Sequence, residues 1–119
     1  MNVLETNVVV YLPADRVAEV PPDGLCAISA MSEKGLRCLG FASDTDRAAM
    51  DEILAVMTVI DLTPAIRVAG VSLRRAHRLR RPDAITAATA LVHDATLLTN
   101  DQRLARTPGL KARPLALKP

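Results

Sequence analysis

Short apolar runs alternate with longer stretches of helical pattern along the 119-residue chain. The runs are of strand length and are bounded by polar or turn-forming residues. They lie at residues 3–4, 25–28, 58–62, 96–99 and 112–117. Strands that alternate with helices favour a parallel sheet with helices on both faces. The pattern therefore predicts an α/β fold, and the length predicts a single domain spanning residues 1–119.

Helix signals fall between the apolar runs. Ser29, Ser43 and Thr63 are each placed to cap a helix, and Ser43 is followed by Asp46 at the spacing of a capping box. Pro82, with Asp83 beside it, opens an alanine-rich helix that leads to the fourth apolar run. Helices are therefore expected after each of these residues.

Two further segments give specific expectations. In the helix after Thr63, an apolar stripe is predicted to form the buried face. Its members are Val68, Ala69, Ser72 and Leu73. Residues 13–24 contain three prolines and a glycine and are predicted to form a loop.

Residues 7–11 carry two opposing signals. The VVVY run has the β-branched composition of a strand, whereas Asn7 is a good helix cap. These residues alone leave both alternatives open.

Composition excludes several classes of protein. No apolar run approaches the roughly 18 to 20 residues of a membrane span, and the first residues lack a basic segment. We therefore expect neither membrane insertion nor secretion. Cys26 and Cys38 form neither a disulfide framework nor a metal-binding pair, which favours a cytoplasmic location. With one Tyr, one Phe and no Trp, binding of single strands by base stacking is not expected.

The basic residues are concentrated in one short segment. The net charge is only +2, but 12 of the 15 basic residues are arginine. Five of them fall within eight positions: Arg74, Arg75, Arg78, Arg80 and Arg81. Such a cluster is either a solvated helix face or a set of contacts to nucleic-acid phosphates.

Three carboxylates are predicted at the carboxyl ends of strands, where sites lie in open α/β sheets. Glu5 ends the first apolar run, Asp83 opens the alanine-rich helix, and Asp101 follows the fourth run. Converging carboxylates suit Mg²⁺, with Mn²⁺ as the alternative, and such an ion supports phosphodiester hydrolysis. Each also has an ordinary explanation: Asp83 complements a helix dipole, and Asp101 forms an Asx turn. Glu5 is harder to explain, because burying a charge within VLETNVVV is costly.

The stretches VLETNVVVYL, RLRRPDAITAATALVHDATLLTNDQRLARTPGL and LALKP resemble a PIN domain of the VapC type. VapC proteins are the toxin half of bacterial toxin–antitoxin pairs. The resemblance extends over nearly the whole chain and is strongest at residues 80–110. PDAITAATAL, followed at the right distance by LLTND, is its most specific part.

The resemblance implies a three-layer α/β/α sandwich with a central parallel sheet, in which NVVVYL is a helix. It also implies a divalent-metal-dependent endoribonuclease, usually a homodimer, held inactive by a VapB-like antitoxin. Asp83 and Asp101 match the third and fourth acidic positions of the family. Four residues match polar positions that shape the site: Thr6, Asn7, Ser29 and Thr99.

The chain departs from the family pattern at two acidic positions. The first is normally Asp and here is Glu5, whose carboxylate lies one methylene further from the backbone. The second, normally Glu, falls on Gly35. Glu33 lies two residues earlier, about 200° around a helix, and so on the wrong face. We therefore expect weakened catalysis, and the alternative function is an attenuated PIN domain that mainly binds an antitoxin.

Overall fold

The computed structural model describes residues 1–12, 25–41 and 43–118. Within these residues it contains one all-parallel sheet of strand order β3-β2-β1-β4-β5. The strands are β1 (Asn2–Leu4), β2 (Cys26–Ser29), β3 (Thr58–Ile60), β4 (Thr96–Leu98) and β5 (Lys111–Arg113). Each predicted apolar run overlaps one of them, with bounds that differ by a few residues. The loop predicted at residues 13–24 lies outside the described residues.

Helices separate most of the strands. They are α1 (Thr6–Tyr11), α2 (Ala30–Arg37), α3 (Asp44–Ala55), α4 (Pro64–His77), α5 (Arg81–Val92) and α6 (Gln102–Ala105). Ser29, Ser43 and Thr63 cap α2, α3 and α4 as predicted, each accepting a backbone N–H three residues on. None of these described helices is long and apolar enough to cross a membrane.

The two faces of the sheet bury different sets of residues. Val3 and Leu97 point to one face, where they join the core beneath α4 and α5. Their neighbours Leu4 and Leu98 point to the other, beneath α1, α2 and α3. This alternation follows from the two-residue repeat of a strand. The result is the predicted α/β/α sandwich.

Helix α4 buries a different face from the predicted one. Ile66, Gly70 and Leu73 are buried, whereas Val68 and Ser72 are exposed. Gly70 decides the orientation, because a Cβ built on it would lie 3.3 Å from Cδ1 of Ile85 on α5. The two helices approach closely along the glycine, which turns Val68 outward. The expectation for Val68 and Ser72 was therefore wrong.

The order of the strands determines where a site can form. From β1 the chain moves to β2 on one side, while β4 lies on the other side of β1. Such a switch point opens a crevice at the carboxyl ends of the two strands. Glu5 follows β1 directly, and residues 99–101 follow β4.

Candidate active site

Glu5 is a buried carboxylate that caps helix α1. Only 6% of the residue is exposed, and its Oε2 accepts hydrogen bonds from the backbone N–H groups of Asn7 and Val8. Its own backbone N–H donates to the carbonyl of Leu98 in β4, at 3.0 Å. These contacts explain how the chain tolerates a buried charge next to VVV, and they fix the carboxylate at the switch point.

Asp83 approaches the same region from the first turn of α5, where it is half-buried. Burial raises the pKa of its carboxyl group, and the charge of Asp101 raises it further. The guanidinium groups of Arg80 and Arg103 act in the opposite direction. Its place in the first turn also suits the helix dipole, so Asp83 has the ordinary role that the sequence suggested.

Asp101 caps the short helix α6. Its Oδ1 accepts from the backbone N–H groups of Arg103 at 2.9 Å and Leu104 at 3.3 Å. Buried Thr99 accepts the backbone N–H of Asp101 at 3.1 Å. The Asx-type turn considered for Asp101 is therefore present. Thr99 orients it at the end of β4.

The three carboxylates interact electrostatically. Burial raises the pKa of Glu5, its two backbone hydrogen bonds lower it, and the charges of Asp83 and Asp101 raise it again. The fold has therefore brought together the three acidic residues chosen from the sequence. Within the described residues, however, no group of three acidic, histidine or cysteine side chains is arranged to hold one metal ion.

The donor chemistry still suits a hard divalent cation. Mg²⁺ commonly binds one or two carboxylates and keeps several waters, so it does not require three. Glu5 and Asp83 line one cavity and supply such a pair. Both hydrogen bonds to Glu5 end on Oε2, so Oε1 takes part in neither. The site thus fits a single ion bound by two carboxylates and water better than a two-metal centre.

Two cavities meet at Glu5. The larger, of about 340 Å³, lies between α1, α2 and the start of α5. Its lining comprises Glu5, Thr6, Asn7, Met31, Ser32, Gly35, Arg80, Pro82 and Asp83. The smaller, of about 170 Å³, also contains Tyr11, Asn100 and Asp101 in its lining. Glu5 and Asn7 border both, so the two cavities are adjacent at these residues.

A chain of hydroxyl groups joins α1 to α2 beside the larger cavity. Ser29 donates to Ser32 at 3.1 Å, and Ser32 lies 2.9 Å from the hydroxyl of Thr6. Ser29 and Thr6 were selected from the sequence, but Ser32 was not. Its spacing of three residues from a capping serine, on the same helical turn, was the available signal.

Gly35 lies on the wall of the larger cavity, where the family pattern has its second carboxylate. A Cβ built on Gly35 would meet nothing within 4 Å, so the wall has room for a side chain. Glu33 does not replace it, because it pairs with Arg37 at 3.3 Å along the helix and does not line the cavity.

Only one of the five clustered arginines lines a cavity of the site. Arg80 lines the larger cavity, Arg81 begins α5, and the remainder lie at the end of α4. All five are exposed, and none forms an ion pair with a carboxylate in the part of the chain that is described. Arg103 was not selected from the sequence, although its place two residues after Asp101 put it near the site.

Comparison with known proteins agrees with this geometry. The PIN domain family matches residues 29–110. No match was found among curated proteins. Among solved structures, a toxin–antitoxin complex from Klebsiella pneumoniae contains a chain 26% identical to this one, with a TM-score of 0.75. The match covers 92% of this chain and 95% of that one.

Two more distant structures share the fold. A chain in the structure of VapBC2 from Rickettsia felis bound to a promoter DNA fragment is 20% identical, with a TM-score of 0.79 over 96% of this chain and 98% of that one. A chain of VapBC-5 from Mycobacterium tuberculosis is 21% identical, with a TM-score of 0.73 over 97% of both. Together with the family match, they show that this chain belongs to the PIN domain family and has the fold of the PIN domains found in VapBC complexes.

Proposed function

We propose that this protein is a metal-dependent endoribonuclease of the VapC toxin type, with residues 1–119 forming one PIN domain. The observation that supports this most directly is the pair of carboxylates in the larger cavity. Glu5 and Asp83 reach it from different helices at the switch point of the sheet, and burial raises the pKa of both. Perturbed carboxyl groups in a cleft are typical of active sites.

The proposed cofactor is Mg²⁺, with Mn²⁺ as the alternative, because the donors are carboxylate oxygens. Glu5 and Asp83 would hold the ion, and Asp101 would contribute its negative charge from the other side of Glu5. A bound ion would lower the pKa of a water molecule and stabilise negative charge on the phosphoryl oxygens.

The protein's own residues have distinct roles in this proposal. The N–H groups of Asn7 and Val8 hold Glu5 in place, and the hydroxyl chain through Ser32 fixes α2 against α1. Of the clustered arginines, Arg80 lines the larger cavity together with Glu5 and Asp83 and would contact the phosphate of the cleaved bond. The other four would contact phosphates along the RNA.

We further propose a VapB-like antitoxin as partner, a homodimer as the assembly and the cytoplasm as the location. The antitoxin is supported by the structural neighbours, which include VapBC and other toxin–antitoxin complexes. The homodimer is supported by the apolar residues exposed on α4.

RNA cleavage by the purified protein, free of antitoxin, tests the nuclease function. We expect cleavage that requires Mg²⁺ and falls at least about a hundredfold in Asp83→Asn, which keeps the size of the side chain but removes its charge. The control is Asp46→Asn, because Asp46 occupies the third position of α3 as Asp83 does of α5, but is exposed and distant from the cavity lining. Equal cleavage by Asp83→Asn and the unsubstituted protein would contradict the assignment.

A second candidate function is that of an attenuated PIN domain that mainly binds an antitoxin. Gly35 is the specific observation in its favour, since it leaves the wall of the larger cavity without a carboxylate at that point. A missing carboxylate removes both negative charge for the cation and a group able to orient the attacking water.

Restoring the family pattern distinguishes the two functions. If catalysis is attenuated, Gly35→Glu combined with Glu5→Asp should raise metal-dependent cleavage by about two orders of magnitude or more. Gly35→Gln is the matched control, because it adds the same bulk to the helix without the charge. An unchanged rate in the restored variant, with antitoxin binding intact, would show that the two departures do not limit catalysis.

A further inference from the structure

A further pocket, distinct from the two acidic cavities, lies between the end of α4 and α6. Its volume is about 310 Å³. We call it the basic pocket, and its lining comprises His77, Leu79, Arg103, Arg106, Thr107 and Pro108. Three of these six side chains are basic, and none is a carboxylate.

The backbone around the basic pocket is held by hydrogen bonds. Helix α4 ends at Arg78, which adopts the left-handed conformation at φ 53° and ψ 34°. This turn directs the carbonyl of Arg78 to Nη2 of Arg103, which donates to it at 3.0 Å. On the opposite wall the hydroxyl of Thr107 donates to the carbonyl of Leu104 at 2.8 Å. Two of the walls are thus fixed by their own hydrogen bonds.

The two arginines of the basic pocket form no salt bridge with a carboxylate within the described part of the chain. Both Arg103 and Arg106 are exposed to solvent. Leu79, which also lines the pocket, is buried. A pocket with an apolar wall and two guanidinium groups is suited to an anion, because guanidinium groups match the geometry of a phosphate.

The basic pocket is connected to the acidic site through Arg103. This arginine lines the basic pocket, and its backbone N–H donates at 2.9 Å to Oδ1 of Asp101, which lines the smaller acidic cavity. The smaller cavity shares Glu5 with the larger one. Arg103 therefore lies between the basic pocket and the carboxylates.

We propose that the basic pocket binds a backbone phosphate of the RNA substrate, beside the bond that is cleaved, through His77, Arg103 and Arg106. The proposal rests on the proposed nuclease function, since it identifies how that substrate is positioned. Phosphate contacts of this kind set the register of a nucleic acid and do not depend on its bases. The pocket would hold the strand while the carboxylates act on the neighbouring phosphodiester.

Binding of a single-stranded RNA in the absence of cleavage tests the proposal. RNA affinity is measured in Asp83→Asn, and again in protein with Asp83 intact in the presence of EDTA. Cleavage is prevented in both cases, and agreement between them shows that the result does not depend on the substitution of Asp83. We expect Arg106→Gln to weaken binding about tenfold and to reduce the slope of log K against log salt by about 0.7, the value for one phosphate contact on a single strand. The control is Arg67→Gln, since Arg67 is exposed on α4 and does not line the basic pocket.

An RNA with one uncharged methylphosphonate linkage locates the contact. At one linkage position, we expect the replacement to weaken binding of the RNA to the unsubstituted protein. The same RNA should bind Arg106→Gln with no further loss of affinity, because such non-additivity identifies an interacting pair. Unchanged affinity and slope in Arg106→Gln would overturn the proposal. An Arg106→Gln variant that loses affinity for the antitoxin but not for RNA would also overturn it, because the pocket would then bind an acidic peptide.

The two hypotheses fail in different ways. Cleavage that depends on Asp83, with Arg106→Gln binding RNA normally, would leave the nuclease in place and remove the phosphate pocket. RNA binding that depends on Arg106, without cleavage, would establish the pocket and remove the nuclease. A protein that binds no RNA would overturn both.

Discussion

At the scale of single residues, each carboxylate of the site also stabilises a helix. Glu5 and Asp101 accept backbone N–H groups at the starts of α1 and α6, and Asp83 lies in the first turn of α5. The positive end of a helix favours a carboxylate there. The sequence presented helix stabilisation and catalysis as competing explanations, but they are compatible, because each carboxylate that stabilises a helix also lies at the candidate site.

Placing Asp83 in the site lowers the stability of the folded protein at neutral pH. Because burial and the charge of Asp101 raise the pKa of Asp83, the folded protein holds this proton more tightly than the unfolded chain does. The free energy of unfolding therefore falls as the pH rises from about the ordinary Asp value of 3.8 to the higher pKa of the folded state. Above that pH the loss is complete.

Asp83→Asn should remove this dependence on pH. We expect the melting temperature of the variant, relative to the unsubstituted protein, to be higher at pH 7 than at pH 3.5. Thermal unfolding followed by circular dichroism at both pH values measures the difference. Asp46→Asn, at the same position of α3, is the control for the loss of a carboxylate from the first turn of a helix. If the melting temperature of Asp83→Asn, relative to the unsubstituted protein, is lower at pH 7 than at pH 3.5, the pKa of Asp83 is lowered in the folded protein, not raised.

The sequence predicted some residues of the candidate site and missed others. Glu5, Asp83 and Asp101 follow apolar runs or open a helix, so periodicity and the family motifs located them. Ser32 and Arg103 depend on contacts between elements, through the hydroxyl of Thr6 and the charge of Asp83. Such contacts have no periodic signature along the chain.

At the scale of elements, helix α1 shows where composition fails. Its three valines favour a strand, but Val8 and Val9 are buried beneath the sheet and Glu5 caps the first turn. Tertiary packing and the cap together outweigh a β propensity that spans only about 1 kcal/mol. Only the family resemblance, not the residues themselves, predicted this helix.

The capping serines of α2 and α3 form a matched pair. Each accepts one backbone N–H at 3.1 Å, but Ser29 is buried in the site and Ser43 is exposed. Ser29→Ala and Ser43→Ala should each lower the stability by about 1 kcal/mol, or about 4 °C in melting temperature. Only Ser29→Ala should also slow RNA cleavage, because it shortens the hydroxyl chain to Ser32. Equal cleavage by the two variants would limit Ser29 to a capping role.

At the scale of the whole molecule, alternation of strands and helices predicted the parallel sheet but not the order of its strands. The crossover that places β4 beside β1 creates the switch point, where α5 packs against β1, β2 and β4, which are far apart in the sequence. Hydrophobic periodicity reports only which face of an element is apolar. Helix α4 is apolar on more than one face, so hydrophobic periodicity could not distinguish the face that packs against α5 from the exposed face.

The exposed face of α4 gives the whole-molecule test of the proposed homodimer. Leu62, just before α4, and Val68 and Val71 within it are 51%, 67% and 47% exposed, although the sequence pattern of Val68 is that of a buried position. A second copy of the chain would cover this face. Val68→Glu should then raise the dimer dissociation constant at least about a hundredfold, because it buries an unpaired charge in the interface. Val56→Glu is the control, since Val56 is 82% exposed at the end of α3. Sedimentation equilibrium should show dissociation for Val68→Glu alone, and a dimer that persists in that variant would place the interface on another surface.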